Sequence, residues 1–230
     1  CILYKSMRFI KAKGILSSHN GMNIYRGCTH GCIYCDSRSR CYNTPSPFED
    51  IEVKENAIEL LKTSLKSKRK KCMIGTGSMS DPYMHCEKTL EYTKKCLEII
   101  EYYGFGATVL TKSDLILRDI DILERINKKT KAVVQVTLTT FDDDLCKILE
   151  PNVCVTSKRV KILKECFSRG IPTVVWLDPF WPYINDTWGS LFGLLNYCVE
   201  TKVKGIINFG IGLTLREGNR EYFYSALDKH

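Results

Sequence analysis

From residue 22 to beyond residue 205, short apolar runs alternate with stretches in which apolar residues recur every three or four positions. The runs predict strands at residues 22–25, 72–74, 107–110, 132–136, 173–177 and 206–209. The periodic stretches predict helices. Ile58, Leu61 and Leu65 mark one; Leu90, Leu97 and Ile100 mark the next, closed by Gly104. Ile116, Ile120, Leu123 and Ile126 mark a third, and Val160, Leu163 and Phe167 a fourth that stops near Gly170. Trp188, Leu191, Leu195 and Val199 mark the last. Nearly uninterrupted apolar strands that alternate with helices belong to a parallel sheet covered by helices. The expected fold is therefore α/β: a partial (β/α)6 barrel, a curved parallel sheet with helices outside. Residues 1–21 read as an N-terminal extension and 22–230 as one core domain. Because the chain begins at Cys1 and stops at His230 inside a helical pattern, further chain is expected after it.

In such folds ligands gather at the carboxyl ends of the strands, and each polar motif here follows a predicted strand. Gly75-Thr76-Gly77-Ser78-Met79-Ser80-Asp81-Pro82 follows the second, Thr111-Lys112 the third, and Thr137 and Thr139 the fourth. The glycines permit close backbone approach, and the hydroxyls and carbonyls accept hydrogen bonds from an ammonium group. Asp178-Pro179-Phe180-Trp181-Pro182-Tyr183 follows the fifth strand. That loop reads either as a substrate wall or, through Phe180 and Trp181, as a cap on the core.

Charge and cysteine usage narrow the setting. The net charge of +8 raises a polyanionic partner such as nucleic acid. Much of the excess lies in Lys66, Lys68, Arg69, Lys70 and Lys71 at the end of a helix pattern, where cations complement the helix dipole. Twelve cysteines, several standing singly in helical stretches (Cys96, Cys146, Cys166, Cys198), fit a reducing, cytoplasmic setting rather than a disulfide framework. No apolar run approaches the roughly 18 residues of a membrane span.

The segment with most chemistry is Cys28-Thr29-His30-Gly31-Cys32-Ile33-Tyr34-Cys35. Three thiolates with no fourth at matching spacing suit a four-iron cluster with one iron left for a non-protein ligand, unlike the four-cysteine sets of ferredoxins. Two rival readings use the same residues. Cys28, His30, Cys32 and Cys35 form a possible Cys3His zinc site in a nucleic-acid-binding module, although one residue between Cys28 and His30 is tight for zinc. Alternatively Cys41 supplies a fourth thiolate, which makes the chain an electron-transfer or cluster-carrier protein.

The cysteine spacing, with Tyr34 before the third cysteine, resembles the signature of the radical S-adenosylmethionine (SAM) superfamily. Asn23-Ile24-Tyr25-Arg26-Gly27, Ser80-Asp81-Pro82, Thr111-Lys112, and Glu150-Pro151 with Lys158-Arg159 resemble its spore photoproduct lyase-like branch. The resemblance implies a [4Fe–4S] cluster on Cys28, Cys32 and Cys35 whose open iron binds SAM. Reductive cleavage then gives a 5′-deoxyadenosyl radical that abstracts hydrogen from an unidentified substrate. It places Gly75, Thr76, Gly77, Ser78 and Ser80 near the methionine amino group and Lys112 on its carboxylate. Thr137 or Thr139 falls to the ribose, and the backbone around Tyr34 to the adenine. Glu150 and Arg159 are expected to pair structurally. A low-potential electron donor such as flavodoxin or ferredoxin is implied as a partner. One departure matters: where the lyase has its hydrogen-donating cysteine, this chain has Ser78, which leaves Cys72 or Cys86 as substitutes and argues against repair of spore photoproduct by the same route.

Overall fold

The computed structural model describes residues 7–45 and 47–229. Its elements begin with β1 (Met7–Ile10), β2 (Gly21–Met22), β3 (Tyr25–Arg26), β4 (Ile51–Lys54) and α1 (Ala57–Ser67). There follow β5 (Met73–Thr76), α2 (Glu87–Leu90), α3 (Tyr92–Tyr102), β6 (Gly106–Thr111) and α4 (Ile120–Lys129). The chain continues through β7 (Ala132–Thr137), α5 (Asp143–Leu149), α6 (Thr156–Ser168) and β8 (Thr173–Trp176), then α7 (Trp188–Glu200), β9 (Gly205–Ile207) and α8 (Asn219–Leu227).

Six strands form one sheet in the order β2-β5-β6-β7-β8-β9, every neighbouring pair parallel. Sheet order follows chain order and the end strands are not paired with each other, so this is the expected partial barrel. Helices cover one face. Ala57, Leu61 and Leu65 of α1, spaced four apart, are buried, as are Ile122, Leu123 and Ile126 of α4. Between them and the sheet lie Ala107 and Val109 of β6, Val134 and Val136 of β7, and Val175 of β8, all in the main core. The opposite, concave face carries Leu110, Gln135, Val174 and Gly205 in register. A polar chain crosses this face: the Trp176 indole N–H donates to Gln135 Oε1 at 2.5 Å, and Gln135 Nε2 donates to Thr108 Oγ1 at 2.6 Å.

The strand expected over residues 22–25 is two strands. β2 opens the main sheet, whereas β3 turns away to pair antiparallel with β4. β4 also pairs parallel with β1, which builds a second, three-stranded sheet beside the barrel. The stripe expected on α7 also differs. Leu194 and Cys198 are buried, while Trp188 and Val199 are each 75% exposed. That helix is apolar nearly all round, so several stripes fit its sequence and only the fold selects one. Val160 and Leu163 of α6 are buried as expected, but Phe167, in its last turn, is exposed: Ile162 and Cys166 complete the buried face instead. Among the described residues no helix is long and apolar enough to cross a membrane.

Candidate functional site

A cavity of about 590 Å³ opens at the carboxyl ends of the parallel strands, a size typical of small-molecule sites. The loop after β3 brings Cys28, Cys32 and Cys35 to it, Gly77 and Ser78 come from the end of β5, Lys112 from β6, and Thr137 from β7. Gly75, Thr76, Ser80 and Thr139 are not among the lining residues. Gly75 and Thr76 are the last residues of β5, and Ser80 and Thr139 are buried. Cys41 is exposed and does not line the cavity.

The cysteine loop is held from three sides. Cys28 N–H donates to Phe48 O at 3.0 Å, and Ile33 N–H to Leu149 O at 3.0 Å. Asn152 reaches back twice, its backbone N–H to His30 O at 3.1 Å and its Nδ2 to Thr29 O at 3.2 Å. Thr29 Oγ1 lies 2.8 Å from His85 Nδ1. Gly27, at φ +82°, lets the entering chain cross Phe48 closely, since a Cβ there lies 2.5 Å from Phe48 O. Gly77 is tighter still: at φ +106° its missing Cβ would sit 2.0 Å from Leu110 O.

Asp81, which sequence reasoning treated only as part of a motif, is the hub of the strand-end loops. Its Oδ1 accepts Thr111 Oγ1–H at 2.7 Å and Tyr83 N–H at 2.8 Å. Its Oδ2 accepts Lys112 N–H at 2.8 Å and faces His30 Nδ1 at 3.5 Å. Burial outweighs the Asp81 charge and pushes His30 down to about 4, so the imidazole is neutral near pH 7. One carboxylate thus fixes both the segment carrying Lys112 and the loop carrying the thiols.

Behind the cavity lies a buried ion pair. Glu150 Oε2 and Arg159 Nη2 are 2.5 Å apart, and both side chains are fully buried. Arg159 also donates to Cys154 O at 2.8 Å and Thr137 O at 3.0 Å. Glu150 accepts from the Tyr34 hydroxyl and, at 2.9 Å, from Thr139 Oγ1. The Tyr34 ring packs edge-on against Trp181, centroids 5.4 Å apart, and Lys112 Nζ stands 5.7 Å from the ring centre. Burial works against ionisation of Glu150, but Arg159 and Lys112 outweigh it and hold the carboxyl at about 2. Lys112 is held above its ordinary value: burial opposes the charge, and Cys32 and Glu150 outweigh it. The loop after β8 resolves between its two readings, since Phe180 joins the main core and Trp181 a second cluster with Ile33, Leu149 and Phe223. Its Asp178 lines the cavity with Trp176 and the segment Phe209–Thr214, a wall that periodicity alone does not reveal.

The donor set fits an iron–sulfur cluster better than a single ion. No group of three or more His, Cys, Asp or Glu side chains among the described residues converges on one metal position, as a zinc site requires. A cubane instead asks each thiolate to bind a different iron. Burial, with help from Asp81, pushes the Cys28 thiol up to about 12, and burial raises Cys32 too, so thiolates at these positions need positive charge from bound metal.

The family model of the radical SAM superfamily matches residues 22–187. An uncharacterized protein of Methanocaldococcus jannaschii is 33% identical over 167 residues, covering 72% of this chain and 61% of that protein. One of Mycobacterium tuberculosis is 25% identical over 208 residues, covering 88% of this chain and 61% of its own. The chain therefore spans about three-fifths of the curated relatives it matches. Among solved structures, a cysteine-to-serine variant of spore photoproduct lyase superposes with TM-score 0.74 at 14% identity, covering 98% of this chain and 67% of the lyase. A lyase variant with bound AdoMet and dinucleoside spore photoproduct gives TM-score 0.61 at 14% identity over 90% of this chain and 60% of its own. These likenesses carry the fold.

Proposed function

Because the chain belongs to the radical SAM superfamily, we propose that its cavity binds a [4Fe–4S] cluster and SAM and uses them to abstract hydrogen from a substrate at the same mouth. The observation that carries this reading is the convergence of three thiols and one lysine on one cavity at the carboxyl ends of the parallel strands. When bound, cluster and SAM together supply a 5′-deoxyadenosyl radical. Cys28, Cys32 and Cys35 hold the cluster. Lys112 offers a point charge to the methionine carboxylate, with its backbone fixed by Asp81. Gly77 and Ser78 approach the amino group, and the φ of Gly77 is what brings that backbone close. The ribose falls to Thr137, which lines the cavity, because the Thr139 hydroxyl is engaged by Tyr34 and Glu150. Tyr34 is locked through its ring and hydroxyl, which leaves its backbone for the adenine.

The supply of hydrogen atoms bears on the substrate. Among the lining residues the only thiols are the three proposed ligands. Cys86 is buried and Cys72 partly buried, neither on the cavity wall. Ser78 supplies an O–H, a far poorer hydrogen-atom donor than a thiol. The reading therefore favours a reaction that needs no protein thiol to quench a product radical, and disfavours repair of spore photoproduct. A low-potential carrier such as flavodoxin or ferredoxin is the proposed electron source, in a reducing cytoplasm.

Anaerobic reconstitution tests the reading. Iron is counted, SAM is added with a strong reductant, and 5′-deoxyadenosine is quantified by mass spectrometry. The expected result is four irons and reductant-dependent 5′-deoxyadenosine that disappears in Cys32→Ala. Four irons without SAM cleavage turn the assignment to a cluster carrier, and zinc in place of iron turns it to a structural metal module.

A further inference from the structure

The two rims of the sheet differ sharply in charge. The rim at the amino ends of the strands is made by the helix-to-strand connections 68–72, 103–105, 130–131, 169–172 and 201–204. These contain no aspartate or glutamate. They carry Lys68, Arg69, Lys70 and Lys71 before β5, Lys131 before β7, and Lys202 and Lys204 before β9. None of these seven belongs to an ion pair among the described residues, and all but Lys68 are exposed. Arg169, in the same rim, is instead satisfied by Asp121, Glu124 and Glu165. The connections stand side by side: Gly106 N–H donates to Cys72 O at 3.1 Å, Ala107 N–H to Lys131 O at 3.0 Å, and Lys204 N–H to Thr173 O at 2.8 Å. Five strand starts at about 4.8 Å make a basic strip about 19 Å wide.

None of this charge serves the cavity. There Lys112 is the one cation among the lining residues, beside Asp36, Asp81 and Asp178. A strand of six residues such as β6 separates the rims by about 20 Å. An acidic electron donor seated on the strip is therefore held well away from the three thiols. A helix dipole accounts for Lys66 in the last turn of α1, but not for Lys70, Lys131 and Lys204, which lie beyond the ends of their helices. Exposed aromatic rings stand on the helix ends at the strip. Tyr102 is 79% exposed at the end of α3, and Phe167, 47% exposed at the end of α6, has Lys202 Nζ 5.4 Å from its ring centre. Cations with accessible rings are the equipment of a single-strand binding surface, where phosphates meet lysines and bases stack.

We propose that the amino-end rim of the sheet binds single-stranded nucleic acid, independently of the cavity on the opposite rim. The surface holds the polymer by backbone charge and stacking rather than by reading sequence.

Fluorescence anisotropy of a labelled twenty-nucleotide oligothymidylate against the reconstituted protein, from 50 to 300 mM salt, tests this. The unaltered protein is expected to bind at low salt, with log affinity falling linearly in log salt. The triple variant Lys70→Glu, Lys131→Glu, Lys204→Glu is expected to bind at least tenfold more weakly at 50 mM, with a slope shallower by about 2, three contacts at about 0.7 each. The Lys→Gln triple guards against an effect of reversed charge on folding and is expected to give a smaller loss in the same direction. Tyr102→Ala is expected to weaken binding by about fivefold or more. Iron content and 5′-deoxyadenosine formation stay unchanged in all of them, which separates this surface from the cavity. No binding at 50 mM, unchanged affinity and slope in both triple variants, or equal affinity for duplex with no effect of Tyr102→Ala overturns the proposal.

Discussion

Replacing Glu150 by glutamine removes one charge from a fully buried ion pair and hardly changes its shape. Arg159 keeps its two carbonyl acceptors, Cys154 O and Thr137 O, but loses its counter-charge. Breaking a buried pair by removing one partner costs about 3–5 kcal/mol. The titration of Glu150 gives a second route to the magnitude. Its carboxyl is held at about 2 against an ordinary 4.5, which at 1.36 kcal/mol per tenfold corresponds to roughly 3 kcal/mol. The sign follows from a depressed native value: the stabilisation is complete above pH 4.5, erodes as pH falls toward 2, and is gone below it. Urea unfolding of the cluster-free chain, followed by circular dichroism under reducing conditions, keeps metal loss out of the measurement. At pH 7 the variant is expected to be less stable by about 3–5 kcal/mol, or roughly 6–20 °C in Tm for a domain of this size. The gap between the two proteins should narrow as pH drops from 4.5 toward 2. Glu150→Gln with Arg159→Met should recover much of the loss, because the stranded charge is gone. A gap under about 1 kcal/mol at pH 7, or one indifferent to pH in that window, refutes the reasoning.

Three further outcomes are expected. Cys28→Ala, Cys32→Ala or Cys35→Ala each abolishes the cluster absorbance, whereas Cys41→Ala, at an exposed position off the cavity wall, leaves iron content unchanged; iron analysis after reconstitution decides. Lys112→Ala keeps the cluster but weakens SAM binding by about ten- to a hundredfold in anaerobic titration, the loss of one charge-assisted hydrogen bond. Gly77→Ala puts a methyl group 2.0 Å from Leu110 O and so displaces the loop after β5; a stability loss of about 1–3 kcal/mol and weaker SAM affinity with full iron content are the expected signs, and an unaltered melting curve counts against them.

What the sequence discloses depends on how local each signal is. The strands of the main sheet are buried on their helix-covered face and read as apolar runs, and the thiols fall within eight residues of one loop. Lys112 is legible because it stands one residue beyond a strand. Of the residues that hold the site together, the Glu150–Arg159 pair is legible through family resemblance, but the rest are not. Asp81 looks like a turn residue until Thr111, Lys112 and His30 are brought to it, and Tyr34 meets Glu150 only across 116 residues of chain. Thr137 and Thr139 look alike in the sequence, and what separates them is that the Thr139 hydroxyl bonds Glu150 from the next helix end. β1 and β4 escape notice because a four-residue strand exposed along one partner has too weak a pattern. On α7 the signal fails in the opposite way, with too many apolar residues to single out a face.

The order in which the ribosome delivers the chain sets a schedule for the cysteine loop. Cys28 to Cys35 emerge before the residues that clasp them, Phe48, His85 and finally Asn152, whose bond to Thr29 spans 123 residues. At about 5–20 residues per second, the three thiols wait roughly 6–25 s between their own synthesis and that of their last anchor. Throughout that interval the loop lacks its final clasp. The loop therefore cannot take its final shape until Asn152 has been made, so the geometry of the three thiols is set four strands, β4 to β7, after the thiols themselves.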